Sequence, residues 1–151
     1  MEIIYKSATI EDIDFLVNSR LDFIHISSVD ENYELIRNNL YSYFENALNE
    51  KQCDIVLAEM DSAIIGTGII FYYNSVPSIF NPWGKNAYIT SIYVHKEYRR
   101  QGIASIILDK LVKTALLKEY HIFLLQESDM GRPLYKKYGF QEGKNGMILK
   151  L

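Results

Sequence analysis

The chain has 151 residues, of which 48% are hydrophobic and 23% charged, an ordinary composition for a globular domain that closes a core of its own. Its formal net charge of −3 disfavours broad binding to nucleic acid or to an anionic membrane, so an anionic ligand needs a local basic site. The longest apolar run, residues 64–73, is too short to cross a membrane, and a single cysteine excludes an internal disulfide.

The start of the chain, residues 1–6, lacks the basic, apolar and cleavage regions of a signal peptide. Together with the lone Cys53, this agrees with a reducing compartment. We therefore expect a cytoplasmic protein.

A short strand and two helices are predicted at the beginning of the chain. Residues 3–6 alternate as a strand does, and Thr9 and Asp12 have the spacing of a helix capping box. Apolar residues then recur at three- and four-residue steps in two segments, residues 13–24 and a second one that begins near Asp30. Both segments predict amphipathic helices packed on a core.

A hairpin and a loop are predicted next. Residues 55–60 and 63–73 are rich in β-branched and aromatic side chains and are separated only by Asp61-Ser62, which is typical of a hairpin turn. Residues 74–86 contain two of the prolines and the only tryptophan, which indicates an ordered loop.

Strands and helices alternate in the second half of the chain. The predicted elements are a central strand (87–94), a long amphipathic helix (103–117), a buried strand (122–125), a short helix (132–138) and a terminal hairpin (140–151) about Lys144-Asn145-Gly146. The order predicts one α/β domain over residues 1–151 with a mixed sheet.

A basic turn with a glycine, residues 94–105, joins the central strand to the long helix. A helix start leaves backbone N–H groups unpaired and carries the positive end of the helix dipole, which suits a phosphate group. Gly102 lets the backbone approach a ligand, Ala104 keeps the next position small, and Lys96, Arg99 and Arg100 add positive charge. A plain strand–helix turn with solvated arginines is equally consistent with these residues.

Two other phosphate-binding patterns are excluded. No Gly-Lys-Ser/Thr follows, so the turn is not a nucleotide P-loop. Gly66-Thr67-Gly68 lies within a predicted strand and lacks the third glycine of a dinucleotide fingerprint. Those two glycines indicate a bulge or a close contact with a helix.

Two segments resemble motifs of the GNAT superfamily of acyl-CoA-dependent N-acyltransferases. Arg99-Arg100-Gln101-Gly102-Ile103-Ala104 is similar to its (Gln/Arg)-x-x-Gly-x-(Gly/Ala) pyrophosphate loop. Residues 131–140 are similar to its Leu-Tyr-x-x-x-Gly-Phe helix and strand start, and the element order coincides over nearly the whole chain. The resemblance implies a mixed, mostly antiparallel central sheet flanked by helices, with the fourth and fifth strands splayed apart.

The resemblance also implies acetyl-CoA as co-substrate, with no metal. The pantetheine arm would pair with backbone groups in the splayed strand, and the amides of the basic turn would hold the pyrophosphate, helped by the side chain of Arg99 or Arg100. Ser128 stands where many relatives have an asparagine near the pantetheine arm. The implied binding residues are Ile92, Tyr93, Val94, Arg99, Arg100, Gln101, Gly102, Ile103, Ala104, Ser105 and Ser128.

The implied reaction is direct attack of an amine on the acyl thioester in a ternary complex. A lysine-type amine has a pKa of about 10.4 and must first lose a proton. The backbone N–H of Val94 would stabilise the oxyanion, and Tyr135 matches the tyrosine that protonates the departing thiolate. In a chain with 12 tyrosines, Tyr135 also fits a plain core position.

The general base is left open. Residues 88–94 contain no acid, so Tyr88, Thr90 or Ser91 could pass the proton through water, or Glu127 or Asp129 could lie near the channel. The three histidines show no metal-ligand spacing with one another or with the cysteine, and no nucleophile–base pair is evident for that thiol.

The acceptor is also left open: a peptide N-terminus, a lysine side chain, a polyamine or an amino-modified small molecule. Acids and aromatics in the segments that border the acceptor in this family would suit a cationic amine, although exposed helices carry such acids in any case: Asp22, Asp30, Glu31, Glu34, Tyr72, Tyr73, Phe80 and Trp83.

Three further alternatives accompany this reading. A catalytically silent acyl-CoA sensor would keep the basic turn without turnover. A nucleic-acid-binding role is opposed by the net charge and by the shortness of the basic cluster. A homodimer is possible by analogy with relatives.

Overall fold

Five strands form the central sheet of the structure, a computed structural model that describes residues 2–143 and 147–151. In chain order they are β1 (Ile4–Ser7), β2 (Cys53–Met60), β3 (Ala63–Asn74), β4 (Lys85–Val94) and β5 (Phe123–Leu125). They lie side by side in the same order, and each neighbouring pair is antiparallel except β4 and β5, which are parallel. The predicted mixed, mostly antiparallel sheet is confirmed.

Helices cover both faces of this sheet. They are α1 (Ile13–Phe23), α2 (Tyr33–Asn49), α3 (Ile103–Leu117) and α4 (Arg132–Tyr138), with single 3₁₀ turns at Ile10–Asp12 and Lys96–Tyr98. One core lies under α3, where Ile107 and Leu111 pack on Ile70 of β3. The other lies under α1 and α2, where Leu16 and Phe44 are almost fully buried.

Local signals in the sequence predicted several elements closely. The bounds of α3 and α4 are those predicted from periodicity. The capping box is present: the Thr9 hydroxyl accepts from the N–H of Glu11 at 3.3 Å, and Asp12 accepts from the N–H of Thr9 at 2.8 Å. Asp61 and Ser62 have φ of +50° and +65°, the left-handed pair that a tight hairpin turn requires.

The predicted terminal hairpin is wrong for the part of the chain that the structure describes. Neither residues 140–143 nor residues 147–151 form a strand, and the predicted turn, Lys144-Asn145-Gly146, lies outside the described residues. The side chains of Met147, Leu149 and Leu151 are exposed. The neighbouring β5 is three residues long, so its outer edge offers few ladder hydrogen bonds to a further strand.

Two glycines of β3 allow α3 to approach the sheet closely. A Cβ added at Gly68 would overlap Ile107 of α3 and lie 3.1 Å from Leu111, and one added at Gly66 would lie 3.3 Å from Cδ1 of Ile107. The predicted close contact with a helix is confirmed. It sets the depth at which α3 packs on the sheet.

We expect Gly68→Ala to destabilise the fold. Overpacking a tight contact costs about 1–3 kcal/mol, which exceeds the roughly 0.4–1 kcal/mol that alanine contributes by restricting the unfolded chain. Urea unfolding should therefore show a lower midpoint. Gly143→Ala is the matched control, because a Cβ there meets nothing within 4 Å. An unchanged midpoint for Gly68→Ala would contradict the close approach of α3.

Candidate active site

The strands β4 and β5 separate partway along their length. Their parallel ladder pairs Ala87 with Phe123 and ends at the pair Ile89–Leu125. Beyond that point β4 continues to Val94 beside β3 alone. The predicted splay of the fourth and fifth strands is confirmed, and the second half of β4 has one open edge.

A bulge lies in β4 directly after the splay begins. The register with β3 runs from Ile69↔Thr90 to Thr67↔Tyr93, so β4 carries one extra residue there. Ser91 within this bulge has a φ of +53°, a backbone conformation that serine rarely adopts. Sequence reasoning missed the bulge because nothing about a serine in a strand signals a positive φ.

Backbone groups of Val94 face the open edge. The N–H of His95 donates to the carbonyl of Ile65 on β3 at 2.8 Å, so the N–H and carbonyl of the preceding residue point away from β3. The Val94 carbonyl accepts from Nε of Arg99 at 2.8 Å. The Val94 N–H is therefore directed into the gap between the strands.

The basic turn forms a cradle of backbone N–H groups. From Arg100 to Ser105, none of the N–H groups donates to an oxygen of the described residues, and α3 begins at Ile103 without a side-chain cap. Positive φ values at Arg100 (+61°) and Gly102 (+80°) bend this backbone into a concave turn. A Cβ at Gly102 would meet nothing within 4 Å. The residues therefore fit a pyrophosphate group.

The two arginines of the turn differ in their contacts. The Arg99 guanidinium bridges from the Val94 carbonyl to Sδ of Met130 at 3.7 Å and lies over the Tyr93 ring, 5.9 Å from its centre. The exposed Arg100 side chain makes no hydrogen bond or ion pair with the part of the chain that is described. Of the two arginines predicted to contact phosphate, Arg100 is therefore the one whose guanidinium is available to a ligand.

Tyr135 lines a groove of about 990 Å³ beside β5. Its ring packs edge-on against Phe140 at 6.0 Å between ring centres, and burial raises its pKa. Its hydroxyl has no hydrogen-bond partner among residues 2–143 and 147–151. Tyr135 is thus a protonated, unengaged hydroxyl on the wall of the groove.

Three other predicted positions follow β5, and two of them have structural contacts. The Ser128 hydroxyl accepts from the N–H of Gly131 at 3.1 Å at the start of α4. Glu127 forms an ion pair with Arg132. Asp129, which follows Ser128 directly, is exposed. Neither acid is brought to the open half of β4 by a contact in the structure.

Two predicted acceptor residues lie elsewhere. Phe80 and Trp83 belong to the loop before Lys85, at the opposite end of β4 from Val94, which is a separation of about 30 Å along the strand. The Trp83 ring packs on His121 at 4.9 Å between ring centres. In the described ranges no three His, Cys, Asp or Glu side chains are grouped so that they could hold a metal ion.

A sequence model of the acetyltransferase (GNAT) family matches residues 20–140, and the chain belongs to this family. A predicted acetyltransferase from Clostridium acetobutylicum, solved with acetyl-CoA, is 32% identical and superposes with a TM-score of 0.90 over 99% of this chain and 96% of that one. A GCN5-related N-acetyltransferase from Ralstonia eutropha JMP134, 16% identical with a TM-score of 0.89 over 99% of both chains, shares the fold.

Relatives of known name match parts of the sequence. Thialysine N-epsilon-acetyltransferase of Sus scrofa is 33% identical over 85 residues, which are 54% of this chain and 46% of that protein. The chain spans about half the length of such relatives from three mammals. An N-alpha-acetyltransferase of Sulfurisphaera tokodaii is 25% identical over 92% of this chain and 80% of that protein.

We expect a carboxylate at position 102 to block acetyl-CoA. Gly102→Asp and Gly102→Asn form a matched pair, because both side chains tolerate a left-handed φ and differ mainly in charge. Charge repulsion in the cradle should lower the affinity for acetyl-CoA at least about tenfold in the Asp variant relative to the Asn variant. Calorimetric titration measures the two affinities, and circular dichroism checks the fold. Equal affinities would contradict the assignment of the pyrophosphate site to this turn.

Proposed function

We propose that this chain is an acetyl-CoA-dependent N-acetyltransferase that transfers an acetyl group to a primary amine by direct attack in a ternary complex. The observation that carries the proposal is the Val94 N–H, directed into an open strand edge whose far end leads into a cradle of unpaired amides. The first supports a hydrogen-bond donor for the oxyanion, and the second supports binding of a pyrophosphate. The proposed unit is a single domain over residues 1–151.

The co-substrate is held by backbone groups in this proposal. Amides from Arg100 to Ser105 bind the pyrophosphate, with the Arg100 side chain on the remaining phosphate oxygens. The open edge of β4 at Ile92, Tyr93 and Val94 pairs with the pantetheine amides as a strand would. The thioester oxygen accepts hydrogen bonds, so the N–H of Val94 is its donor in this proposal, while the Val94 carbonyl accepts from Arg99.

The chain supplies no acid on β4 to deprotonate the amine. Thr90 and Ser91 are the hydroxyl residues next to the open edge, while the Tyr88 ring stacks on Phe71 at 5.0 Å between ring centres. In this proposal the amine loses its proton to water by way of these hydroxyls, without a carboxylate base. The amine has a pKa of about 10.4, so its neutral, reactive fraction rises with pH. The rate should therefore increase with pH in the neutral range.

Tyr135 donates the proton to the departing thiolate in this scheme. Burial raises its pKa, so the neutral phenol persists to a higher pH than an exposed tyrosine would allow. The donor and the neutral amine can then coexist. No covalent enzyme intermediate is required, and Cys53 is unsuited to form one, because burial raises the pKa of its thiol to about 11.

The proposal extends to the class of acceptor, the cellular compartment and the partners. The relatives' names, thialysine N-epsilon- and N-alpha-acetyltransferase, support a small-molecule or peptide amine. None of the helices in the described ranges combines the length and apolar composition needed to span a membrane. The single buried cysteine supports a cytoplasmic setting. A homodimer and the absence of nucleic-acid or membrane partners remain proposals.

A catalytically silent acyl-CoA sensor is the second candidate. The observation that favours it is the ion pair of Glu127 with Arg132, which engages one of the two acids proposed as the base. The two candidates share the cradle and differ in turnover alone.

Calorimetric titration with acetyl-CoA, followed by a thiol-release screen of diverse amines, separates these candidates. Saturable binding with amine-dependent thiol release is the expected result. Binding without release from any amine would favour the sensor. Failure to bind acetyl-CoA would overturn both.

We expect Tyr135→Phe to lower kcat at least about tenfold and to change acetyl-CoA affinity less than about twofold, because the lost hydroxyl acts on the leaving group rather than on binding. Tyr138→Phe is the matched control on the same helix, since its hydroxyl contacts Asp109 on α3 at 3.1 Å instead. Thiol release under chemistry-limited conditions measures both variants. Equal kcat values for the two variants would contradict the role of Tyr135 as proton donor.

A further inference from the structure

A small cavity lies on the α1 face of β4, beside the bulge. Its volume is about 10 Å³, and its lining includes Arg20 and Phe23 of α1, Thr67 of β3, and Ser91 and Tyr93 of β4. A cavity of this size holds about one water molecule, or one oxygen atom of a larger ligand that enters from outside.

Arg20 brings an unpaired positive charge to this cavity. Its side chain is partly buried, and none of the carboxylates in the described residues forms an ion pair with it. Nη1 donates to the hydroxyl of Ser91 at 2.8 Å, and the guanidinium lies over the Phe23 ring at 5.2 Å from its centre. A guanidinium has five N–H donors, so most of them remain available. Burial lowers the pKa of Arg20, as expected for a cation without a counter-charge.

Thr67 brings an unsatisfied hydroxyl to the same cavity. The residue is 3% exposed, and its Oγ1 has no hydrogen-bond partner in the part of the chain that the structure describes. Buried hydroxyls are normally paired, so an unpaired one beside an unpaired cation calls for a common explanation. An anionic oxygen in the cavity would satisfy both groups.

The position of the cavity links it to the transfer site. Ser91 is three residues from Val94, roughly 10 Å along the strand. Ser91 and Tyr93 point their side chains toward α1, while the backbone of Val94 faces the gap between the strands. One flexible molecule can therefore place an anionic oxygen at Arg20 and an amine near the thioester.

We propose that Arg20 and Thr67 form an anion subsite for the acceptor, and that the acceptor is a flexible amine that also carries a carboxylate or a phosphate group. The inference rests on the proposed function and names its substrate class. It replaces the expectation of a purely cationic amine, whose aromatic contacts Phe80 and Trp83 lie at the far end of β4. One of the acids behind that expectation, Asp30, instead accepts from the N–H of Ser27 at 2.6 Å.

A structural role for Arg20 is the competing explanation. Its contact with Ser91 could serve only to hold the bulge, and then its loss would slow transfer to every acceptor alike. An anion subsite predicts a selective loss instead. The two explanations are separated by comparing acceptors that differ only in the anionic group.

The test uses two matched pairs of amines: lysine with cadaverine for a carboxylate, and glucosamine 6-phosphate with glucosamine for a phosphate. In the unaltered protein, kcat/KM should favour the anionic member of at least one pair by about tenfold or more. Arg20→Gln should reduce that preference to within about twofold, by raising KM for the anionic amine alone. Thr67→Val, which removes the hydroxyl at nearly constant shape, should reduce it partly.

Arg37→Gln is the matched control. Arg37 lies on α2 over the Tyr41 ring, 5.0 Å from its centre, and is not part of the cavity, so the same loss of charge should leave the preference unchanged. Thermal unfolding confirms that each variant is folded. Should Arg20→Gln fail to fold, the Thr67→Val result decides. The subsite would be contradicted if kcat/KM were equal for both members of each pair. It would also be contradicted if Arg20→Gln or Thr67→Val lowered kcat/KM equally for both members.

A binding measurement keeps this inference separate from the proposed function. Failure to bind acetyl-CoA or to release thiol with any amine would overturn the function. The subsite is then judged by the ¹⁵N-detected Nε–H signal of Arg20, with each amine added to the protein. A shift caused by lysine but not by cadaverine, or by glucosamine 6-phosphate but not by glucosamine, supports the subsite. No shift with either anionic amine would refute it.

Discussion

The separation of β4 from β5 is the constraint on which the rest of the site depends. A strand with a neighbour on each side has its backbone hydrogen bonds satisfied, and β4 loses one neighbour after Ile89 while it keeps β3 as far as Val94. The open edge thus has the hydrogen-bonding capacity of a missing strand. The bulge at Ser91, the Arg99 contact to the Val94 carbonyl and the amide cradle all lie between Ile89 and Ser105.

Prediction from sequence succeeded where the signal was local. The periodicity of α3, the Thr9 capping box and the Asp61-Ser62 turn each depend on neighbouring residues, and each is present. The motif resemblance located the basic turn for the same reason. The terminal hairpin is wrong for the described residues because a local turn signal gives a hairpin only when a sheet edge pairs with its strands, and β5 is three residues long.

The parts of the site that could not be predicted depend on long-range contacts or on unusual backbone geometry. Arg20 and Ser91 are 71 residues apart in sequence and 2.8 Å apart in space. Ser91 and Arg100 have positive φ without being glycine, asparagine or aspartate, so residue type gives no sign of it. The suggestion of a cationic acceptor was accordingly drawn from acids and aromatics near one another in sequence, whereas the arginine that lines the proposed subsite gives no such local signal.

The hydrogen bond from Arg20 to Ser91 has a consequence for how the two substrates influence each other. It ties α1 to the bulge of β4, and the same bulge orients the edge that the acyl donor would occupy. Two ligands that act on one short stretch of backbone are thermodynamically linked, and any factor by which one changes the affinity of the other must be reciprocated. A single strand irregularity can in this way couple the affinities of the two substrates without a moving lid or a second domain.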